Sequence, residues 1–174
     1  IMDISGLHTC FKKISELLRY GDLHDLNKNC KVNSSLDNVK EIDIIANNII
    51  VGFANSTDEI VGYISEESPK IVFKDNIETR KNQNLKNYIL AFDPLDGSQN
   101  VVSNITSGSI YCLLEYDIEN NKFISVEEAG YCIYGAKTIM ITAKKFEVKL
   151  FELDRNNEFN FIKKIYQIPK GKIY

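Results

Sequence analysis

Two kinds of hydrophobic spacing divide the chain. Over residues 5–20, Leu7, Phe11, Ile14, Leu17 and Leu18 recur at the spacing of one helical face, and Gly21 follows as a stop. Residues 38–54 repeat the pattern with Val39, Ile42, Ile45, Ala46, Ile49, Ile50 and Phe53, and Asn38 with Glu41 behind it reads as a capping box. Residues 22–36, between these two helices, are polar and irregular and predict a loop. After Ala54 the pattern changes to short apolar runs bounded by polar clusters. These predict strands at Ile60–Ser65, Asn87–Phe92, Ser109–Tyr116, Ala129–Tyr134, Thr138–Ala143, Glu147–Leu153 and Phe159–Ile162, with exposed loops at Asp75–Asn87 and Glu119–Lys122. Two helices followed by mainly antiparallel strands predict an α+β fold. We expect a layered helix/sheet sandwich with a mixed sheet, built as a single domain over residues 1–174.

Composition agrees with a packed core. The 174 residues are 44% hydrophobic and 26% charged, which excludes a disordered chain, a collagen and a coiled coil. A formal net charge of -3 gives no reason to expect nucleic acid or an anionic membrane as a partner. No apolar run approaches the roughly 18 residues of a membrane span. The opening residues, IMDISGLHTC, carry acid where an export signal would be basic, so a cytoplasmic protein is expected. Cys10, Cys30, Cys112 and Cys132 form no CxxC pair and are expected as reduced, mostly buried thiols. His8 and His24 are isolated and not expected to bind metal, and Lys144-Lys145 and Lys163-Lys164 read as solvated faces. The chain starts at Ile1 and stops within the strand-like Gly171–Tyr174, so both ends are expected to be cut from something longer.

Chemistry concentrates where two strands end in acid. Ile60–Ser65 runs into Glu66-Glu67, and Asn87–Phe92 runs into Asp93-Pro94-Leu95-Asp96-Gly97-Ser98. Carboxylates behind an apolar strand are costly to bury without partners. Pro94 stiffens the second loop, Gly97 permits close approach of backbone to a ligand, and Ser98, Gln99 and Asn100 supply donors. Carboxylates with a backbone carbonyl suit a hard cation, Mg²⁺ or Mn²⁺. Amides after Gly97 could cradle a phosphate. A metal beside a phosphate points to phosphoryl transfer or hydrolysis.

These residues also carry a family resemblance. FDPLDGSQN, Phe92–Asn100, resembles the FDPLDGSSN signature of fructose-1,6-bisphosphatases, whose short form DPxDG also occurs in inositol monophosphatases. VKEIDIIANN (39–48), ISEES (64–68), AGYCIYGAKTIMI (129–141), FELDRNNEFNFI (151–162) and IPKGKIY (168–174) resemble further segments of the family in the same order. Together they narrow the likeness to the fructose- and sedoheptulose-bisphosphatase branch. It covers nearly all of this chain and about half of a typical member, the half that binds metal and phosphate, without the sugar-binding half.

The resemblance implies Mg²⁺-dependent hydrolysis of the 1-phosphate of fructose 1,6-bisphosphate, with Mn²⁺ or Zn²⁺ as possible metals. Sedoheptulose 1,7-bisphosphate hydrolysis and a non-catalytic paralogue that keeps the metal site are the alternatives. It implies Glu66, Asp93, Asp96 and the Leu95 carbonyl as metal ligands. Glu67 and Asp43 are implied as acids that help activate the attacking water, Asp37 as an acid on the family's mobile catalytic loop, and Gly97 and Ser98 as the phosphate-binding residues. Asp37 and Asp43 are six positions apart, about 600° of helical rotation, so Asp37 suits a loop before the helix. Asp43 sits among Ile42, Ile44 and Ile45, an expensive place unless it faces a polar site. A homotetramer is implied for a family-length protein. Asn87-Tyr88 stands where AMP-inhibited members carry Lys-Tyr, which implies no AMP inhibition. Two further departures are Gln99, where the signature has a second Ser, and Val102, where the family has Asp.

Overall fold

The computed structural model describes residues 2–21, 29–32, 38–68, 70–75, 77–80 and 85–166. Its frame is an eight-stranded mixed sheet with two helices packed on one face.

Helix α1, Ser5–Tyr20, forms where the first apolar stripe predicts it, burying Leu7, Cys10, Phe11 and Ile14. Asp3 opens it by accepting the Ser5 amide at 2.9 Å, and Gly21 closes it by donating to the Leu17 carbonyl at 2.9 Å. Helix α2, Glu41–Ser56, buries Ile42, Ala46, Ile50 and Ala54, one residue per turn. It starts at Glu41 rather than Asn38. Strand β2, Asn38–Lys40, pairs antiparallel with β1, Asn29–Val32, so backbone pairing replaces the expected capping box. Glu41 and Asp43 place two acids in the first helical turn, where the helix dipole favours them.

The large sheet contains β3 (Ile60–Ser65), β4 (Val72–Phe73), β5 (Tyr88–Asp96), β6 (Ser107–Asp117), β7 (Lys122–Tyr134), β8 (Thr138–Lys144), β9 (Glu147–Leu153) and β10 (Phe159–Ile165). Its order is β10-β9-β8-β7-β6-β5-β3-β4. Every pairing is antiparallel except β3 with β5, which run parallel. The expected α+β sandwich with a mixed sheet is therefore present. Three pairings depart from the expected strand bounds. The first half of β7, Lys122–Glu128, mixes charged residues with the exposed Phe123, Ile124 and Val126, and pairs with β6. Strand β4 is a two-residue edge, β1 lies in the stretch read as loop, and β2 takes the first residues of the stretch read as the second helix. The expected strand at Gly171–Tyr174, His24 and the Cys30 side chain lie outside the described residues.

The main core lies between the helices and one sheet face, with Phe11, Ile14, Ile42, Ile50, Tyr88, Leu90, Tyr111, Leu113 and Met140 buried. A smaller cluster on the opposite face, Val61, Ile89, Tyr116 and Ile118, is packed by Ile64, Ile71 and Ile77. Beyond that cluster the second face is open, with Ile110, Tyr131 and Ile133 between 38% and 48% exposed. Cys10 and Cys132 are buried free thiols, and Cys112 is a half-buried one. Lys144 corrects the expectation of a solvated face: its ammonium lies 3.0 Å from Glu127 and 3.7 Å from the buried Glu128. Lys164 pairs with Glu147. No helix of the described residues is long and apolar enough to cross a membrane.

Candidate active site

The parallel pair positions most of the expected site. Strands β3 and β5 run side by side in register from Gly62↔Ile89 to Ser65↔Phe92, so their acidic ends emerge together. The Glu66 amide continues the ladder by donating to the Phe92 carbonyl at 3.1 Å. Glu66 is thereby fixed beside Asp93.

Asp93 and Asp96 reach one side of the sheet through a bulge. In a regular strand, residues three apart point to opposite faces. Here Asp93 pairs with Ile110 and Asp96 with Gly108, so two residues, Pro94 and Leu95, stand against the single residue Ser109. Ile110 and Gly108 are two apart and share a face, which places both aspartates on it. The face is the open one, since Ser109 and Tyr111 between and beside them are buried toward the helices. Leu95 turns its side chain into the helix-side core, 4% exposed. Its amide donates to Asp93 Oδ1 at 3.0 Å.

The electrostatics are strained by like charge. Burial, followed by the neighbouring Glu66 charge, pushes Asp93 up to about 7, against the Leu95 amide, which favours the carboxylate. Asp96 raises it further, and Glu66 shares a side-chain hydrogen bond with it. Asp96 itself is exposed. Among the described residues, no group of three or more His, Cys, Asp or Glu side chains is gathered as a ready cage for an ion. The donors are nevertheless hard oxygens held against one another's charge, the conflict that a divalent cation relieves. On that chemistry the residues fit a magnesium-type ion.

The second pair of acids is anchored from the helix. Asp43 lies in the first turn of α2 and is 6% exposed, so the isoleucines around it do not carry it to the surface. Asn47, one turn later on the same side of the helix, accepts a hydrogen bond at 2.6 Å from Ser65 Oγ at the end of β3. Ser65 Oγ in turn accepts the Glu67 amide at 3.2 Å. The helix that carries Asp43 and the backbone of Glu67 are thus both tied to the end of β3 through Ser65. Asp37 lies outside the described residues.

Gly97 adopts φ +74°, and a Cβ there would stand 2.9 Å from Asn100 Nδ2. It opens a 3₁₀ turn, Ser98–Ser103, closed by the Asn100 amide donating to the Gly97 carbonyl at 2.8 Å. Gln99 and Val102, the two departures from the family spelling, are both exposed. Sequence reading missed Asn47, Ser65, Ser109 and Tyr134. Ser65 directly precedes the two acids, and Asn47 follows Asp43 by one helical turn, the only signals that could have flagged them.

Residues 2–164 match the family model described as fructose-1-6-bisphosphatase, N-terminal domain. The chain belongs to the fructose-1,6-bisphosphatase family. Among its relatives, fructose-1,6-bisphosphatase class 1 of Campylobacter jejuni is 33% identical over 171 residues, 98% of this chain and 55% of the relative. The class 1 protein of Campylobacter concisus is 31% identical over 164 residues, 93% of this chain and 52% of the relative. Fructose-1,6-bisphosphatase isozyme 2 of Bos taurus is 30% identical over 182 residues, 98% of this chain and 52% of the relative. The crystal structure of Leishmania major fructose-1,6-bisphosphatase in holo form matches with a TM-score of 0.79 at 24% identity, over 97% of this chain and 55% of that one, which supports the fold. The chain thus spans about half the length of these family members.

Proposed function

We propose that this chain carries the metal- and phosphate-binding chemistry of a magnesium-dependent sugar bisphosphatase. The reaction is hydrolysis of the 1-phosphate of fructose 1,6-bisphosphate to fructose 6-phosphate and inorganic phosphate. The observation that carries this reading is the bulge that turns Asp93 and Asp96 to one face beside Glu66. Family membership supplies the substrate class.

Glu66, Asp93 and Asp96, with the Leu95 carbonyl, would hold Mg²⁺, or Mn²⁺ or Zn²⁺ in its place. When bound, the cation would neutralise phosphate charge and make a nearby water more acidic. Glu67 and Asp43 would orient that water and take its proton. Gly97 and Ser98 would hold the transferring phosphoryl group through backbone amides and the hydroxyl. Water oxygen bonds to phosphorus, the bond from phosphorus to the sugar oxygen breaks, and the leaving oxygen ends protonated on fructose 6-phosphate. A cytoplasmic location belongs to the same reading.

Phosphate release from fructose 1,6-bisphosphate, with Mg²⁺ and with chelator, tests it on this chain and on Asp96→Asn. Metal-dependent release that the variant loses supports the reading, and the same assay on sedoheptulose 1,7-bisphosphate ranks the two sugars. Calorimetric Mg²⁺ binding without release would instead support a protein that keeps the metal site without turnover.

A further inference from the structure

The peptide joining Pro94 to Leu95 is held at both of its polar atoms. Its N–H, from Leu95, donates to Asp93 Oδ1 at 3.0 Å. Its C=O, from Pro94, accepts a hydrogen bond from Ser109 Oγ at 2.7 Å. This is the central peptide of the bulge, the one that opposes Ser109 and lets Asp93 and Asp96 share a face.

Ser109 is fully buried, and Tyr134 OH lies 2.8 Å from its Oγ. A serine hydroxyl has one proton, and Ser109 gives it to the Pro94 carbonyl. The proton between the two hydroxyls therefore belongs to Tyr134. The result is a directed chain: Tyr134 O–H to Ser109 Oγ, Ser109 O–H to Pro94 O. Tyr134 is itself 7% exposed, so water does not compete easily for either hydroxyl. Ser109 sits on β6 opposite Cys132, and Tyr134 on β7 opposite Ser107, so two strands beyond the acid loop fix the positions of both hydroxyls.

We propose that Ser109 and Tyr134 are positioning residues for the acid site: their buried hydroxyl chain fixes the Pro94–Leu95 peptide plane and so the orientation of the Asp93 carboxylate. One Asp93 oxygen is committed to the Leu95 amide, which leaves the other as the oxygen that would meet a cation. Without the Ser109 hydroxyl the buried Pro94 carbonyl loses its side-chain donor, the peptide plane is freer to turn, and the Leu95 amide loses its registration with Asp93. The proposal rests on the reading of Asp93 and Asp96 as metal ligands.

The test compares the chain with Ser109→Ala, Tyr134→Phe and Ser109→Thr. Mg²⁺ affinity is read by calorimetry, and exchange of the Leu95 amide proton by NMR without metal. Removing such a support to a metal ligand should weaken binding about 10-fold or more in Ser109→Ala and less in Tyr134→Phe, which keeps its shape. Both should speed Leu95 exchange, and Ser109→Thr, which retains the hydroxyl, should restore both readings. A merely structural role would lower the melting temperature in Tyr134→Phe and leave affinity and local exchange unchanged, which overturns the proposal. Faster Leu95 exchange with unchanged affinity also overturns it. If the unmodified chain binds no divalent cation, the metal-ligand reading fails first, and that shows as absent heat in the parent protein, not as a difference between variants.

Discussion

Asp93 is the residue on which charge, burial and backbone geometry meet. With no cation bound, burial and the Glu66 charge push it up to about 7. The folded chain then keeps a proton that the unfolded chain, with an ordinary carboxyl near 3.9, has already released. For this group, stability of the metal-free protein is fully present below about pH 4 and is lost as pH rises through about 7. Urea denaturation in chelator from about pH 5 to about pH 8 should show that decline, Asp93→Asn should remove it, and Mg²⁺ should reverse it at neutral pH. A metal-free profile that Asp93→Asn leaves unchanged would contradict the placement of the charge. Gly97 gives a second prediction. Its positive φ and the 2.9 Å approach to Asn100 Nδ2 leave no unstrained place for a Cβ. Gly97→Ala should cost about 1–2 kcal/mol in denaturation, and a loss within experimental scatter would mean that the turn relaxes freely. The acids and Gly97 were legible in the sequence because DPLDGS places them in one local motif. Ser109, Tyr134, Asn47 and Ser65 were not, because each acts through a contact distant along the chain.

At the scale of elements, α1 and α2 were readable because burial repeats at the helical period, Leu7, Phe11 and Ile14 in one and Ile42, Ala46 and Ile50 in the other. The start of α2 was not, since Asn38–Lys40 is committed to a backbone ladder that leaves no side-chain pattern. Where α1 meets β9 and β10, His8 packs its ring against Phe151 and Phe159, with centroids 6.1 and 6.3 Å away. Its Nε2 is buried without a hydrogen-bond partner among the described residues. Burial lowers its pKa, Asp3 opposes that and Lys12 adds to it. A depressed base keeps the folded state neutral while the unfolded chain protonates near 6.5. The contribution of His8 is therefore complete above that pH and is lost as pH falls below it toward the depressed folded value. Thermal unfolding of His8→Leu should be less sensitive to acid over that window than that of the parent. Parallel curves would show that the imidazole is solvated there.

The whole molecule presents two unlike faces. One is covered by α1 and α2. The other can be followed across the sheet by register: Asp93, Ile110, Tyr131, Ile141, Leu150, Lys163 in one row and Asp96, Gly108, Ile133, Ile139, Glu152, Asn160 in the next. Each row begins at an acid of the candidate site, passes through apolar residues, and ends on polar side chains. The alternation of strand residues made the helix-side core predictable, but it could not reveal that the opposite positions have no cover among the described residues, because an isoleucine reads the same on either face. A contiguous apolar face of this kind favours association with whatever meets it. The chain as it stands should therefore self-associate with rising concentration in sedimentation velocity. A charge at the centre of the face, Ile133→Lys, should reduce that association with an unchanged far-UV spectrum. Because Ile133 is one strand removed from Asp96 through Gly108, the same variant should leave Mg²⁺ affinity within a few-fold of the parent. A clean monomer for the unmodified chain at every concentration would show that the open face is hydrated and weakly cohesive. Loss of Mg²⁺ binding in Ile133→Lys would show instead that the apolar rows and the acid site form one cooperative surface.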